Sequence, residues 1–144
     1  MLRIAVFIVF SFFLRGAIAD VLIKPSEALL PAETNIPKAS RAITRGPGVR
    51  IVSPDISAAQ ITSPFPLNIT FEPRGGAKID PATVKLTYLR SPNIELAERI
   101  KGNVSAKGIN LASAEVPPGE HLIRVSVQDD DGRQTSILLN LNVK

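Results

Sequence analysis

This 144-residue chain contains three consecutive carboxylates, Asp129, Asp130 and Asp131. They form its densest cluster of side chains that could bind an ion or take part in a reaction. Carboxylate oxygens are the ligands that Ca²⁺ prefers, and the ion takes roughly six to eight of them. Adjacent carboxylates cannot all face one ion, and the spacing of an EF-hand loop is absent. Gly132 follows, and Asp-Gly is a strong hairpin signal. The sequence therefore favours a solvated turn, with calcium binding as the alternative.

His121 is the single histidine, and the chain has no cysteine. The missing thiols exclude zinc fingers, disulfide scaffolds and thiol catalysis. His121 lies two residues before Ile123, so we expect it on the inner face at the start of a strand. A general base needs a nucleophile or an acid positioned beside it, and the sequence offers no such partner. We interpret His121 as a structural group, and we predict no catalytic residue and no cofactor.

Glu95, Glu98 and Arg99 lie in residues 91–102, which resemble a short helix. Ser91 suits the cap, and the following proline suits the first helical position. An acid pair could serve glycoside hydrolysis, but on a short exposed helix it is more typical of solvated ion pairs. The chain contains no nucleophile elbow, zinc-protease, P-loop or dinucleotide-binding motif. We therefore predict that the protein is not an enzyme.

Apolar and polar residues alternate in five separate runs, which must supply the scaffold for these side chains. The runs cover residues 49–51, 67–71, 84–88, 123–127 and 137–143. A period of two predicts half-buried strands. Each strand has one apolar face to bury, so two sheets must pack against each other. Residues 109–116 suggest a further strand whose faces the pattern does not assign.

Residues 1–19 have the three parts of a signal peptide. Arg3 precedes an uncharged apolar run at residues 4–14, and Ala17 and Ala19 form a small-residue cleavage site before Asp20. The run is shorter than the ~20 residues that a membrane span needs. We predict export and cleavage, hence a periplasmic or secreted bacterial protein without a stable membrane anchor, with a retained anchor as the alternative.

Four prolines interrupt residues 20–48, at positions 25, 31, 37 and 47. Proline disfavours long helices and central strands, so we predict an extended or disordered linker with at most one helical turn at 26–30. Lys38, Arg41 and Arg45 make its end mildly basic. We interpret them as part of a soluble linker, the alternative being a tail that touches a partner or an anionic membrane surface. A single domain then occupies residues 49–144.

The formal charge gives no support to nucleic-acid binding. The whole chain carries a net charge of +4, which falls to +2 when Arg3 and Arg15 leave with the signal peptide. Nucleic-acid-binding proteins concentrate a larger positive charge along one face. We therefore predict no nucleic-acid partner.

Residues 116–143, VPPGEHLIRVSVQDDDGRQTSILLNLNV, resemble the last two strands of bacterial Ig-like and fibronectin-type-III-like domains in exported proteins. Residues 79–89, IDPATVKLTYL, are similar to a middle strand of such domains. The resemblance implies an immunoglobulin-like sandwich, and about the last two thirds of the chain carries it. Domains of this kind serve as spacers, adhesive modules and sugar binders, and they share no catalytic residues. The insert at residues 91–102 departs from the plain family pattern.

The predicted fold is all-β: an Ig-like antiparallel β-sandwich with a short helical insert, preceded by the cleaved signal peptide and the proline-rich linker. The predicted function is that of an exported, non-enzymatic module, protein-binding or structural in the bacterial cell envelope. Its partner would contact the end loops or an open sheet edge. The candidate contact residues are Phe65, Glu95, Glu98 and Arg99, together with the hairpin tip at residues 129–132.

Two alternatives remain, a carbohydrate-binding module and a Ca-dependent adhesive domain. Sugar-binding sites stack sugar rings on exposed aromatic side chains. The alternation of residues places Phe71 and Tyr88 inside, which leaves Phe65 as the one aromatic candidate after the signal peptide.

Overall fold

A computed structural model describes residues 18–36 and 45–144. The predicted signal peptide lies outside the described residues except for Ile18 and Ala19. Of the three basic linker positions, Arg45 is described, and Lys38 and Arg41 lie outside.

The described chain is mostly β-structure with a few helical turns. In chain order the elements are β1 (Asp20–Val21), α1 (Pro25–Ala28), β2 (Gly48–Ser53), β3 (Phe65–Glu72), β4 (Lys85–Tyr88), β5 (Ile94–Glu95), α2 (Ala97–Ile100), β6 (Val104–Ser105), β7 (Gly108–Glu115), β8 (Gly119–Gln128) and β9 (Gln134–Val143). Short 3₁₀ turns occupy Pro81–Thr83 and Lys101–Asn103. The five alternating runs of the sequence correspond to β2, β3, β4, β8 and β9.

The strands form two sheets, as the sequence predicts. The first sheet has the order β1-β7-β3-β2, with β6 also paired to β7, and the second has the order β5-β4-β8-β9. All of these strand pairs are antiparallel except β1 with β7, which is parallel. The alternate residues of β3 and β8 are buried, among them Ile69 and Val125, so the core lies between the sheets.

Residues 20–36 pack against the sandwich, and we name them the N-terminal strap. Leu22 and Ile23 are each 1% exposed and belong to the hydrophobic core. Farther along, Ala32 forms an isolated antiparallel bridge with Arg90, so the strap reaches from the first sheet to the second. The one helical turn that the sequence allows is present as α1, which begins at Pro25. The sequence did not predict that the apolar pair before Pro25 packs in the core between the sheets.

The insert differs from its predicted form in its first half. Ile94 and Glu95 pair with the edge of β4 as β5, and the helix is a single turn, Ala97–Ile100. The backbone N–H of Leu96 donates to the carbonyl of Leu86 at 2.7 Å. The prediction of a helix starting at Ser91 is therefore wrong, because an open sheet edge satisfies more backbone groups than a local cap can.

The strap should contribute measurably to stability. We expect Leu22→Ala to lower the free energy of unfolding by about 2–4 kcal/mol, since truncating a buried leucine loses apolar contacts and leaves a cavity. Leu29→Ala is the matched control on the same strap, because Leu29 is 86% exposed and such changes stay within about 0.5 kcal/mol. Urea denaturation measures both, and equal stabilities would show that the strap is not docked.

Candidate functional site: the loop end of the sandwich

A buried chain of hydrogen bonds joins Arg90, Tyr88 and His121. Nε of Arg90 donates to the hydroxyl of Tyr88 at 2.7 Å, and that hydroxyl lies 2.9 Å from Nδ1 of His121. Nε2 of His121 lies 2.7 Å from the carbonyl oxygen of Pro117. A carbonyl can only accept, so Nε2 carries the proton and Nδ1 accepts from Tyr88. Every polar atom of the imidazole is thereby used.

This cluster holds the strap to the second sheet. The guanidinium of Arg90 also donates to the carbonyls of Leu30, at 3.3 Å, and Glu120, at 3.1 Å. Burial lowers the pKa of His121, the positive charge of Arg90 lowers it further, and the hydrogen bond to Pro117 opposes both. The predicted position of His121 on the inner face is confirmed, and its contacts are those of a structural group.

The pKa shift of His121 predicts a pH dependence of stability. Because the folded pKa lies below the unfolded value of 6.5, the unfolded chain binds more protons in the window below pH 6.5. The stabilisation is therefore complete above pH 6.5 and is lost as the pH falls toward the folded pKa. One proton limits the slope to about 1.4 kcal/mol per pH unit.

Urea denaturation between pH 7.5 and 5 measures this slope. We expect His121→Gln to remove it, because the neutral amide can accept from Tyr88 and donate to Pro117 without titrating. An unchanged slope in the variant would assign the effect to other groups.

The three aspartates lie on the hairpin between β8 and β9 and point to different partners. Asp129, 3% exposed, accepts from the backbone N–H groups of Asp131 and Arg133 and from Nε of Arg133. Asp130 accepts from the backbone N–H of Lys78 at 2.9 Å, and Asp131 pairs with Arg133 at 2.9 Å. The residues described contain no cluster of potential metal ligands.

The predicted hairpin is confirmed, with Gly132 at a φ of +79°. The expectation that its carboxylates are solvated is wrong for Asp129. That side chain is buried because it accepts hydrogen bonds from the backbone N–H groups of Asp131 and Arg133, which the turn leaves without a backbone acceptor.

Removing this buried cap should destabilise the hairpin. We expect Asp129→Ala to lower the free energy of unfolding by about 2–4 kcal/mol, since it leaves the buried N–H groups of Asp131 and Arg133 without an acceptor and removes the buried one of the two carboxylates that pair with Arg133. Asp131→Ala is the control at the exposed rim and should cost less than about 1 kcal/mol. Thermal or urea denaturation distinguishes them, and similar losses would contradict the cap.

Two of the predicted contact residues are not available to a partner. Phe65 is 4% exposed and belongs to the core. Arg99 forms a partly buried ion pair with Glu27 and donates to the carbonyl of Leu22 at 2.8 Å. The hydrogen bond from Arg99 also lowers the pKa of Glu27. Arg99 therefore links α2 to the strap. Its partner Glu27 lies 72 positions earlier in the chain and is brought beside it by the tertiary fold.

The other two predicted contact residues stay at the surface. Glu95 is exposed and accepts from the hydroxyl of Thr87 at 2.7 Å. Glu98 lies 3.9 Å from Lys101 in an exposed ion pair. The structure does not bring Glu95, Glu98 and the aspartates of the hairpin into one site.

A different surface gathers apolar and charged side chains at one end of the sandwich, where residues 73–84, 106–107 and 129–133 connect strands. We name this region the loop end. It contains an open groove of about 590 Å³. The apolar lining consists of Phe71, Pro73, Ala77, Ile79 and Ala106. The charged lining consists of Arg50, Glu72, Lys78 and Lys107.

The hairpin supports the neighbouring loop of this groove. The backbone N–H of Asp130 donates to the carbonyl of Lys78 at 2.9 Å, and the guanidinium of Arg133 donates to the carbonyl of Arg74 at 3.3 Å. Hydrogen bonds from the hairpin therefore hold both ends of residues 74–78, which form one wall of the groove. Sequence reasoning missed the groove because its residues come from three separate stretches of the chain, although it recognised the hairpin at residues 129–132 as a turn.

Comparison with known protein families, with characterised proteins and with solved structures finds no match. Within the described ranges, each helix is too short to cross a bilayer.

Proposed function

We propose that this protein is an exported, non-enzymatic binding module of the bacterial cell envelope, which binds a protein partner through its loop end. The observation that carries the proposal is the groove, an apolar surface edged by lysines on a scaffold of two packed sheets. Binding sites combine apolar lining with a few placed polar groups in this way. The assignment to the envelope rests on the signal-peptide pattern at residues 1–19.

The strand order supports an immunoglobulin-like fold. With β2, β3, β7 and β6 as strands A, B, E and D, the first sheet has the order A-B-E-D. With β4, β8 and β9 as C, F and G, the second sheet has the order C-F-G, extended by β5 at its edge. Apart from the additional β1 on β7, this agrees with the strand order of immunoglobulin domains, whose binding loops include B–C and F–G at one end. The loop end of this protein consists of the equivalent B–C, D–E and F–G connections.

The contacts of the titratable side chains support a role without catalysis. His121 holds Tyr88 and Pro117, Asp129 caps its hairpin, and Glu27 binds Arg99. Each is engaged with another part of the protein, whereas a general acid or base must face a substrate.

The described aromatic residues give little support to sugar binding. Phe65 and Tyr88 are buried in the core, and Phe71 is 5% exposed at the floor of the groove, so no ring has a widely exposed face on which a sugar could stack. The aspartates of the hairpin each accept from a protein donor and point to different partners, which leaves the calcium-dependent alternative without a specific observation in its favour.

Site-directed photo-crosslinking in the source cells tests the proposal. A benzophenone amino acid replaces Ala106, which lines the groove, or Glu98, which is exposed on the insert and serves as the control. We expect one dominant protein adduct from position 106, recovered with the envelope fraction, and none from position 98. Adducts from neither position, or from position 98 alone, would overturn the loop end as the binding surface.

A further inference from the structure

The floor of the groove is apolar and continuous with the core. Phe71 is the last inward-facing residue of β3, and Ile79 and Ala77 follow in the connection to β4. All three are buried for most of their surface, so the floor is set by core packing. A volume of about 590 Å³ is within the range of sites that hold small ligands or several side chains.

Two lysines line the groove from different segments of the chain. Lys78 lies in the connection between β3 and β4, and Lys107 in the turn between β6 and β7. Neither ammonium has an ion-pair partner among residues 18–36 and 45–144. The other cation of the lining, Arg50, lies 3.4 Å from Glu72. The charged lining therefore has a net positive charge that resides on the lysines.

The backbones of both lysines are held in place. The N–H of Lys78 donates to the carboxylate of Asp130, and its carbonyl accepts from the N–H of Asp130. The carbonyl of Lys107 accepts from the N–H of Phe71 at 2.9 Å. Asp130 and Glu72 place some negative charge nearby, but one is bound to the backbone of Lys78 and the other is paired with Arg50. The backbone positions from which the two lysine side chains start are thus held, and both side chains are exposed at the groove.

We infer that the groove binds an extended acidic peptide segment, with an apolar side chain on the floor and carboxylates on Lys78 and Lys107. This inference rests on the proposed function and specifies the partner. Two cations on two segments of the chain, on either side of an apolar floor, suit a peptide that carries acidic residues on both sides of an apolar one. A fatty acid has a similar apolar body but a single carboxylate.

Fluorescence anisotropy with defined peptides tests the inference. Three fluorescein-labelled probes carry a Leu-Phe pair flanked by four glutamates, four glutamines or four lysines, and a fourth replaces Leu-Phe by Ser-Ser between glutamates. We expect the glutamate probe with Leu-Phe to bind at least about tenfold more tightly than each of the others. Raising the salt concentration should weaken it, because exposed charges are screened.

Charge-reversal variants with a matched control locate the binding. Lys78→Glu combined with Lys107→Glu should weaken the glutamate probe by about tenfold or more. Lys85→Glu combined with Lys144→Glu makes the same change in net charge at exposed positions that do not line the groove and should leave the affinity within about twofold. Melting curves of both variants check that they are folded. Equal losses in the two double variants would overturn the site.

The outcomes separate this inference from the proposed function. A crosslinked partner at position 106, together with no preference for the glutamate probe, would refute the acidic peptide and leave the binding role standing. Saturable binding of dodecanoate without binding of the glutamate probe would also refute it, in favour of a lipid. Specific probe binding without a crosslinked protein would support the chemistry of the groove and count against an envelope partner.

Discussion

The gap between two sheets, each with one apolar face, is the constraint on which the rest of this structure depends. Neither sheet can exist alone in water with that face exposed, so every other element either fills the gap or closes its borders. Leu22 and Ile23 of the strap fill it. Leu96 and Ile100, at α2, fill it from another side. The strap and the insert are therefore parts of one core.

Packing the strap and the insert onto the core buries polar groups of the backbone. Charged side chains then lie where they can form hydrogen bonds with these groups. Arg99 reaches Glu27 and the carbonyl of Leu22 because the strap and α2 meet over the same core. Arg90 reaches Leu30 and Glu120 for a similar reason. A buried polar group without a partner costs more than a made hydrogen bond contributes, so these residues are committed to structure.

The sequence predicts those parts of the fold that depend on local patterns. Alternation of apolar and polar residues identifies β3 and β8, because period two is a property of each strand by itself. The strap was not predictable, because its prolines indicate a linker unless the position of β7 is known. The strand that contains Glu95 was not predictable either, because its pairing partner lies on β4, a separate part of the chain. The groove depends on three chain segments and has no local pattern at all.

The pairing of charged groups is also the reason for proposing the loop end, rather than the insert, as the recognition surface. On the insert, Arg99 is paired with Glu27 and Lys101 with Glu98. At the loop end, hydrogen bonds hold the backbones of Lys78 and Lys107 and leave their ammoniums without ion pairs among the described residues. A backbone that is already ordered before binding lowers the entropic cost of binding, and charges without an internal partner can pair with a ligand. The core packing beneath Phe71 supplies the fixed apolar floor on which the proposed binding depends.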